Sequence, residues 1–212
     1  MKLFLDSANL EEIRAAVAAG LVDGVTTNPT LLAREHVVLE EFLPQACELV
    51  SGPVSAPVRG TETDEIVREG RALAKLHDGV AVKIGIDLEG LRAVAKLHAE
   101  GIRTHATLCC SAHQALLAAR AGADFVSPLV GRVNAAGGNG LEMVSQIIDI
   151  YDNYEFDTQV LVASLRNPTD VIEAARLGAD GITAPKALLE ELARHPLSES
   201  IQLEFRESWK RI

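Results

Sequence analysis

A lysine inside an apolar run is the first residue of this chain that could do chemistry. Lys83 lies in Val80–Ile86, which is apolar on both sides of the lysine and predicts a strand buried on both faces. Burying an isolated ammonium is costly, and the group usually responds with a lowered pKa that leaves a neutral amine. Such an amine attacks carbonyls and forms Schiff bases. The alternative is a lysine that reaches solvent at the strand end or pairs with a carboxylate.

Two arginines and a serine predict an anion site further along the chain. Arg132 follows the apolar run that begins at Phe125, while Ser164 and Arg166 follow the next run. The second pair directly precedes a helix signal at Asn167, where free backbone N–H groups and the helix dipole favour phosphate. Arginine adds bidentate contacts to the same oxygens. Solvated arginines are the alternative, but two of them around a serine favour a phosphate site.

Polar residues also end the first two apolar runs. Asp6 ends the first run, and we expect it to be free for proton transfer if Ser7 caps the helix that follows. Asn28 ends the second run as a possible ligand-binding amide. It precedes Pro29, so a plain turn residue is the alternative.

Eight short apolar runs alternate with amphipathic stretches, and this order predicts a closed (β/α)₈ barrel. The predicted strands are Leu3–Asp6, Val25–Asn28, Val54–Val58, Val80–Ile84, Thr104–Leu108, Phe125–Leu129, Val160–Ser164 and Gly181–Ala184. The predicted helices include Leu10–Ala19, Asp64–Leu76, Leu88–Ala99, His113–Ala121, Leu141–Ile150 and Pro168–Leu177. In such barrels chemistry lies at the carboxyl ends of the strands. The polar residues predicted there are Asp6, Asn28, Lys83, His105, Thr107, Arg132, Ser164 and Arg166.

The chain is expected to form one barrel domain over residues 1–212 with an additional C-terminal helix over 197–212. Gly101, Gly122 and Gly178 are expected to end helices shortly before a strand begins. The last helix carries Phe205 and Trp209 and has no further strand to cover. It is expected either to cap its own barrel or to pack on a neighbouring subunit.

Composition excludes several classes of partner and site. The 20 basic and 30 acidic residues give a net charge of −10, which argues against nucleic acid and anionic membranes as partners. The 3 cysteines lack the spacing of a disulfide framework or a zinc site. No long apolar segment or leader is recognisable, so a cytoplasmic protein is expected.

Short motifs recur along nearly the whole chain. They are Leu5-Asp6-Ser7-Ala8, Gly24-Val25-Thr26-Thr27-Asn28-Pro29, Val82-Lys83-Ile84, Thr107-Leu108, Gln114-Ala115-Leu116-Leu117-Ala118-Ala119, Val126-Ser127-Pro128, Val130-Gly131-Arg132 and Ala163-Ser164-Leu165-Arg166-Asn167-Pro168. Together they resemble the transaldolase family, and most closely its small branch of transaldolase-like and fructose-6-phosphate aldolase proteins.

The resemblance implies a class I aldol reaction without metal or cofactor. By this resemblance Lys83 forms the Schiff base with a ketose donor, Asp6 transfers protons and Thr107 positions a catalytic water. Thr27 and Asn28 take substrate-binding roles, with Asn28 holding the dihydroxyacetone unit. The residues implied to bind the terminal phosphate are Arg132, Ser164 and Arg166. The resemblance also implies phosphorylated sugars as substrates and homo-oligomers of five or ten subunits.

Four positions depart from the family pattern. Pro57 replaces a Glu or Gln that helps to hold a proton-shuttling water, Gly85 begins a different sequence after the lysine, and Leu129 replaces an aromatic residue. His105 replaces an Asn and is expected to face the same side as Thr107, where it could position water or act as a base. A hydrogen-bonded interior histidine is the alternative.

The sequence also suggests a role for Arg59 and leaves two alternative functions open. Arg59 is expected to face the same side as the residue at position 57 and to add a third cation for an unusual acceptor. The departures leave open a catalytically weakened sugar-phosphate binding protein. They also leave open an aldolase of a modified, for example sulfonated, sugar in a specialised pathway.

Overall fold

Eight parallel strands close into a barrel, as the alternating pattern predicts. The computed structural model describes residues 1–212, and the strands follow one another in chain order, with the first paired to the last. The strands are β1 Lys2–Asp6, β2 Gly24–Thr26, β3 Val54–Pro57, β4 Val80–Gly85, β5 Thr104–Cys109, β6 Phe125–Pro128, β7 Gln159–Val162 and β8 Gly181–Ala184. The helices are α1 Leu10–Ala18, α2 Pro29–Arg34, α3 Leu39–Leu49, α4 Thr63–Ala74, α5 Leu88–Ala99, α6 Ala112–Arg120, α7 Val130–Ala135, α8 Gly140–Asn153, α9 Pro168–Arg176, α10 Lys186–Leu192 and α11 Pro196–Trp209.

Local sequence signals set where most helices begin and end. Gly101, Gly122 and Gly178 adopt φ of 72°, 85° and 93°, which confirms them as left-handed residues after helix ends. Side chains cap the amino ends of seven helices, and these caps are Asn9, Asn28, Asp87, Ser111, Asn139, Asn167 and His195. The expectation that Ser7 caps α1 is wrong, because Asn9 accepts the free N–H groups there.

Aspartates fasten neighbouring strands at the amino end of the barrel. Each aspartate lies directly before one strand. Its carboxylate accepts a hydrogen bond from a backbone N–H at the start of the strand that comes one earlier in the chain. The pairs are Asp23 with Leu3, Asp124 with Thr104 and Asp180 with Val160, at 2.8, 2.8 and 2.7 Å. The recurrent Asp before a strand therefore joins neighbouring strands of the barrel, which is a structural and not a chemical role.

The barrel interior changes from apolar to polar along its axis. Phe4, Phe125 and Leu161 form an apolar cluster, with the two rings 6.1 Å apart in an edge arrangement. A larger core of 41 residues comprises most of the other buried apolar side chains. Further along β1 and β6, Asp6 and Ser127 follow Phe4 and Phe125, so the interior becomes polar towards the site described below.

Several predicted strands extend further than the observed ones. β2 ends at Thr26 and β7 at Val162, so Asn28 and Ser164 lie just beyond their strands. Helices α2, α3, α7 and α10 were not predicted, and two of them have only six residues each. The glycine-rich stretch 135–140 connects α7 to α8.

Helix α11 is the additional C-terminal helix. It begins at Pro196, ends at Trp209 and contains no buried residue. Leu197, Phe205 and Trp209 are 66%, 63% and 73% exposed, respectively. None of the helices has the length and apolar character needed to cross a membrane.

Candidate active site

A cavity of about 480 Å³ lies at the carboxyl ends of the barrel strands. Six residues that the sequence predicts for the site line it, namely Asp6, Asn28, Lys83, Thr107, Arg132 and Ser164. The structure therefore brings them together from β1, β4, β5, α7 and the segments after β2 and β7. A cavity of this size accommodates a small polar ligand.

Lys83 reaches the cavity from β4. Its Nζ atom donates a 2.9 Å hydrogen bond to the carbonyl oxygen of Thr27. Burial lowers the pKa of this amine, and the negative charge of Asp6 opposes that shift. A lysine whose pKa is lowered by desolvation is the type of amine that becomes a nucleophile.

Asp6 ends β1, and two side chains from β2 and the segment after it lie within hydrogen-bond reach of its carboxylate. Thr26 Oγ1 donates to its Oδ1 at 2.8 Å, and Asn28 Nδ2 lies 3.5 Å from each carboxylate oxygen. Burial raises the pKa of Asp6, while the charge of Lys83 and these hydrogen bonds counteract the rise. A carboxyl with a raised pKa is suited to giving and taking protons near neutral pH.

Asn28 serves both as a helix cap and as part of the site. Its Oδ1 accepts the N–H of Leu31 at the start of α2, which leaves its amide nitrogen directed towards Asp6. The neighbouring Thr27 is turned away, since its hydroxyl donates to Ser55 O at 2.7 Å. Thr27 thus meets Lys83 through its main chain, and its predicted substrate contact stays a prediction.

The candidate anion site combines two arginines with a strained serine. Ser164 has φ of 60°, a left-handed conformation that non-glycine residues seldom adopt and that often marks functional segments. A Cβ added to Gly131 would lie 3.0 Å from Arg166 Nε and 3.1 Å from Ser164 Oγ, so only glycine leaves this space open. Arg132 lines the cavity on the same side.

His105 lies in the barrel interior and is fully buried. Ser127 Oγ donates to Leu161 O at 2.8 Å, so its hydroxyl accepts from His105 Nε2 at 2.7 Å. His105 Nδ1 then accepts from Ser55 Oγ at 2.7 Å. Burial holds the pKa of the ring well below its ordinary value, with the charge of Lys83 acting in the same direction. This arrangement favours a neutral interior histidine, and its predicted catalytic role stays a prediction.

Cavity residues that the sequence analysis missed lie mainly on β2, β8 and in the loops. Thr26 and Thr183 are buried hydroxyls at the ends of these strands, and applying the strand-end rule to β8 would have found Thr183. Leu108 also lines the cavity, with φ of 62° and 59% exposure. It occurs where the pairing of β5 with β6 shifts register, which the sequence does not reveal.

A family model described as transaldolase/fructose-6-phosphate aldolase matches residues 3–211 of the chain. The chain belongs to this family. A "probable transaldolase" of Myxococcus xanthus is 54% identical over 213 residues, covering 100% of this chain and 96% of that relative. A "probable transaldolase" of an Anaeromyxobacter species is 48% identical over 212 residues, covering 100% and 99%. The chain is therefore an enzyme of the transaldolase and aldolase type, as the motifs indicate.

A solved structure supports the fold alone. The thiamine phosphate pyrophosphorylase of Pyrococcus furiosus superposes with a TM-score of 0.61, covering 91% of this chain and 93% of that chain. At 21% identity this likeness confirms the barrel and carries no information on the transaldolase site.

One departure from the transaldolase pattern, Pro57, lies beside a different surface. Pro57 pairs in register with Lys83 at the end of β3, and it lines a groove between α3 and α4 together with Arg59. The expectation that Arg59 supplies a third cation to the cavity is wrong, because its guanidinium faces that groove, 3.5 Å from Glu40. Arg59 does share a side with Pro57, as expected, but both residues line the groove and neither lines the cavity.

Two further departures lie in or near the cavity. Leu129 follows β6 and lines the cavity with Leu108 and Ala163, so part of the wall is apolar. Gly85 ends β4 next to Leu108, since an added Cβ would lie 3.4 Å from Leu108 Cδ1.

Proposed function

We propose that this chain is a class I aldolase or transaldolase that forms a Schiff base between Lys83 and the C2 carbonyl of a ketose phosphate such as fructose 6-phosphate. The observation that carries this proposal is the placement of Lys83 and Asp6 in one cavity, with the pKa of the amine lowered by burial. Family membership supports the same reaction class.

Bond changes in the proposed reaction follow from these two groups. The Lys83 nitrogen attacks C2, and loss of water gives the protonated imine, an electron sink for the adjacent carbon–carbon bond. Asp6 takes the proton of the C4 hydroxyl as the C3–C4 bond breaks. Asp6 later returns a proton to the acceptor oxygen when a new bond forms. Asn28 is proposed to hold hydroxyls of the three-carbon unit beside Asp6.

The phosphate of the substrate is proposed to bind to Arg132, Ser164 and Arg166. None of the ion pairs in this structure uses Arg132 or Arg166, so both guanidiniums are available to a ligand. Arg132 lines the cavity, and Arg166 Nε lies beside the neighbouring Gly131. Available cations in a protein with net charge −10 are well suited to an anionic substrate.

The proposal is tested by separating free aldol cleavage from transfer. Fructose 6-phosphate is incubated with the enzyme alone and then with erythrose 4-phosphate as acceptor, and released glyceraldehyde 3-phosphate is measured with a coupled dehydrogenase. Release in either condition that is lost in Lys83→Met supports the proposal. Equal rates in the wild-type protein and Lys83→Met would contradict it.

We also propose that the enzyme is a homo-oligomer in the cytoplasm, with α11 packed on a neighbouring subunit. An amphipathic helix with no buried residue is unusual in a folded monomer, and its exposed apolar side chains, which include Phe205 and Trp209, favour a protein partner. Assembly as five or ten subunits stays a prediction from the family resemblance. All three cysteines are free, which suits a reducing compartment.

A further inference from the structure

A chain of two buried hydroxyls leads from Asp6 through β2 to β8. Thr26 Oγ1 lies 2.8 Å from Asp6 Oδ1 and 2.6 Å from Thr183 Oγ1. Thr26 is completely buried and Thr183 is 6% exposed, yet both line the cavity. Register explains this proximity, because β1 lies between β2 and β8 in the closed barrel, with Asp6 opposite Thr26.

Hydrogen-bond accounting fixes the direction of this chain for each state of Asp6. When Asp6 is a carboxylate it only accepts, so Thr26 donates its single proton to Asp6. The contact between the two hydroxyls then requires Thr183 to donate to Thr26. When Asp6 is protonated and donates through Oδ1, Thr26 accepts that proton and donates to Thr183 instead. The proton of Thr183 must then turn elsewhere, and the cavity is the open side.

We propose that Thr183 is a positioning residue that, through Thr26, orients the proton of Asp6 and provides it with a second path to the cavity. One proton enters at Thr183, one passes from Thr183 to Thr26, and one passes from Thr26 to Asp6. Each hydroxyl ends with the one proton it began with, and Asp6 gains one. The inference rests on the proposed function, because it assigns a use to the proton that Asp6 handles in the aldol step.

The surroundings of Asp6 give this path a specific role. The charged groups that act on Asp6 are Lys83 from β4 and Arg34 from α2, and both lower its pKa. On the other side of Asp6, strands β2 and β8 contribute only the hydroxyls of Thr26 and Thr183. A cooperative chain of hydrogen bonds strengthens each member, so Thr183 makes Thr26 a better donor to the carboxylate.

The test is a ¹³C NMR titration of the Asp6 carboxyl in the full chain, combined with steady-state kinetics. Thr26→Val should raise the pKa of Asp6, and Thr183→Val should raise it by a smaller amount. Thr183→Val should also lower kcat by about tenfold, the equivalent of one hydrogen bond, with KM nearly unchanged. Thr183→Ser should restore both values, because it restores the hydroxyl.

A matched control separates this role from a structural one. Thr158 is likewise 6% exposed, and its hydroxyl donates to Ala123 O at 2.7 Å, away from the cavity. Thr158→Val should lower stability and leave the Asp6 titration unchanged. If Thr183→Val does not fold, Thr183→Ala replaces it.

The inference is overturned if the Asp6 titration in Thr183→Val coincides with those of the wild-type protein and Thr158→Val. The titration needs no turnover, so it decides this inference even if the enzyme proves inactive on sugar phosphates. Absence of a Lys83 adduct in the wild-type protein would contradict the proposed function instead.

Discussion

Lys83 Nζ donates to the main-chain carbonyl of Thr27 at 2.9 Å, and no carboxylate pairs with it. A carboxylate partner would stabilise the ammonium and raise its pKa, whereas a carbonyl leaves burial as the dominant effect. The bond directs the amine from β4 across the barrel towards β2. It thereby holds a weakly basic nitrogen in the cavity that also contains Asp6.

Removing one guanidinium from the anion site should weaken binding of phosphorylated donors specifically. Arg132→Ala or Arg166→Ala removes a charge-assisted contact of about 1.5–3 kcal/mol, so KM for fructose 6-phosphate should rise roughly 10- to 100-fold. KM for dihydroxyacetone, which carries no phosphate, should change little. Arg59→Ala is the matched control, since Arg59 faces another groove. An equal rise in KM for fructose 6-phosphate and for dihydroxyacetone would contradict a role of these arginines in phosphate binding.

Replacing His105 should reveal a neutral structural imidazole. Its pKa is lowered in the folded protein, so protonation in the unfolded chain opposes folding below about pH 6.5. The free energy of unfolding should therefore fall as the pH drops through this range, and less steeply in His105→Gln. His105→Leu leaves the hydroxyls of Ser55 and Ser127 without their hydrogen bonds to the imidazole. The free energy of unfolding should then fall by about 2–3 kcal/mol. Urea titrations between pH 5 and 8 measure both effects.

The same variant decides whether His105 is a catalytic base. If it is only structural, the pH profile of kcat/KM should keep its shape in His105→Gln. Loss of one limb of that profile would restore the catalytic role predicted from the sequence.

The aspartates at the amino end of the barrel should be structural anchors. Asp124→Ala leaves the buried end of a strand with an unpaired N–H at Thr104, and the free energy of unfolding should fall by about 1.5–3 kcal/mol. Asp124→Asn keeps an acceptor oxygen and should lose less. Asp152→Ala, at an exposed helix position, should change stability by less than about 0.5 kcal/mol. Equal losses of unfolding free energy in Asp124→Ala and Asp152→Ala would contradict the structural role of Asp124.

Helix α11 should control assembly. Phe205→Ser combined with Trp209→Ser removes the largest exposed apolar side chains of α11, and sedimentation velocity should then show smaller species than the wild-type protein. Thermal stability of each barrel should change little, because α11 contributes no buried residue. A wild-type protein that sediments as a monomer would contradict the proposed interface.

The sequence was sufficient for the barrel because short apolar runs alternate clearly with period-3.6 amphipathic stretches, and because strand-end polar residues converge in this fold. Of the residues that the sequence assigns to the site, Lys83, Asp6, Arg132 and Ser164 line one cavity, whereas Arg166 does not line it. It missed α2 and α7, since six-residue helices carry too little periodicity to recognise. Those two helices carry Leu31 and Arg132 into the site.

Side-chain direction was the harder part of the prediction. Thr27 lies just after β2, and the sequence does not reveal that its hydroxyl donates to Ser55 O. Arg59 lies on the same side as Pro57, but the sequence does not reveal that this side faces a groove next to α3 and α4. Ser164 and Leu108 adopt left-handed conformations that only tertiary contacts impose. The hydroxyl pair of Thr26 and Thr183 depends on barrel closure between β1 and β8, which joins residues 157 positions apart.

The most direct test of the central claim is trapping of the Schiff base. The protein is incubated with fructose 6-phosphate or dihydroxyacetone, reduced with borohydride, digested and analysed by mass spectrometry, with Lys83→Met in parallel. The account predicts a stable three-carbon or six-carbon adduct on Lys83 in the wild-type protein and none in the variant. An unmodified Lys83 across a panel of ketoses, or an adduct on another lysine that persists in Lys83→Met, would contradict it.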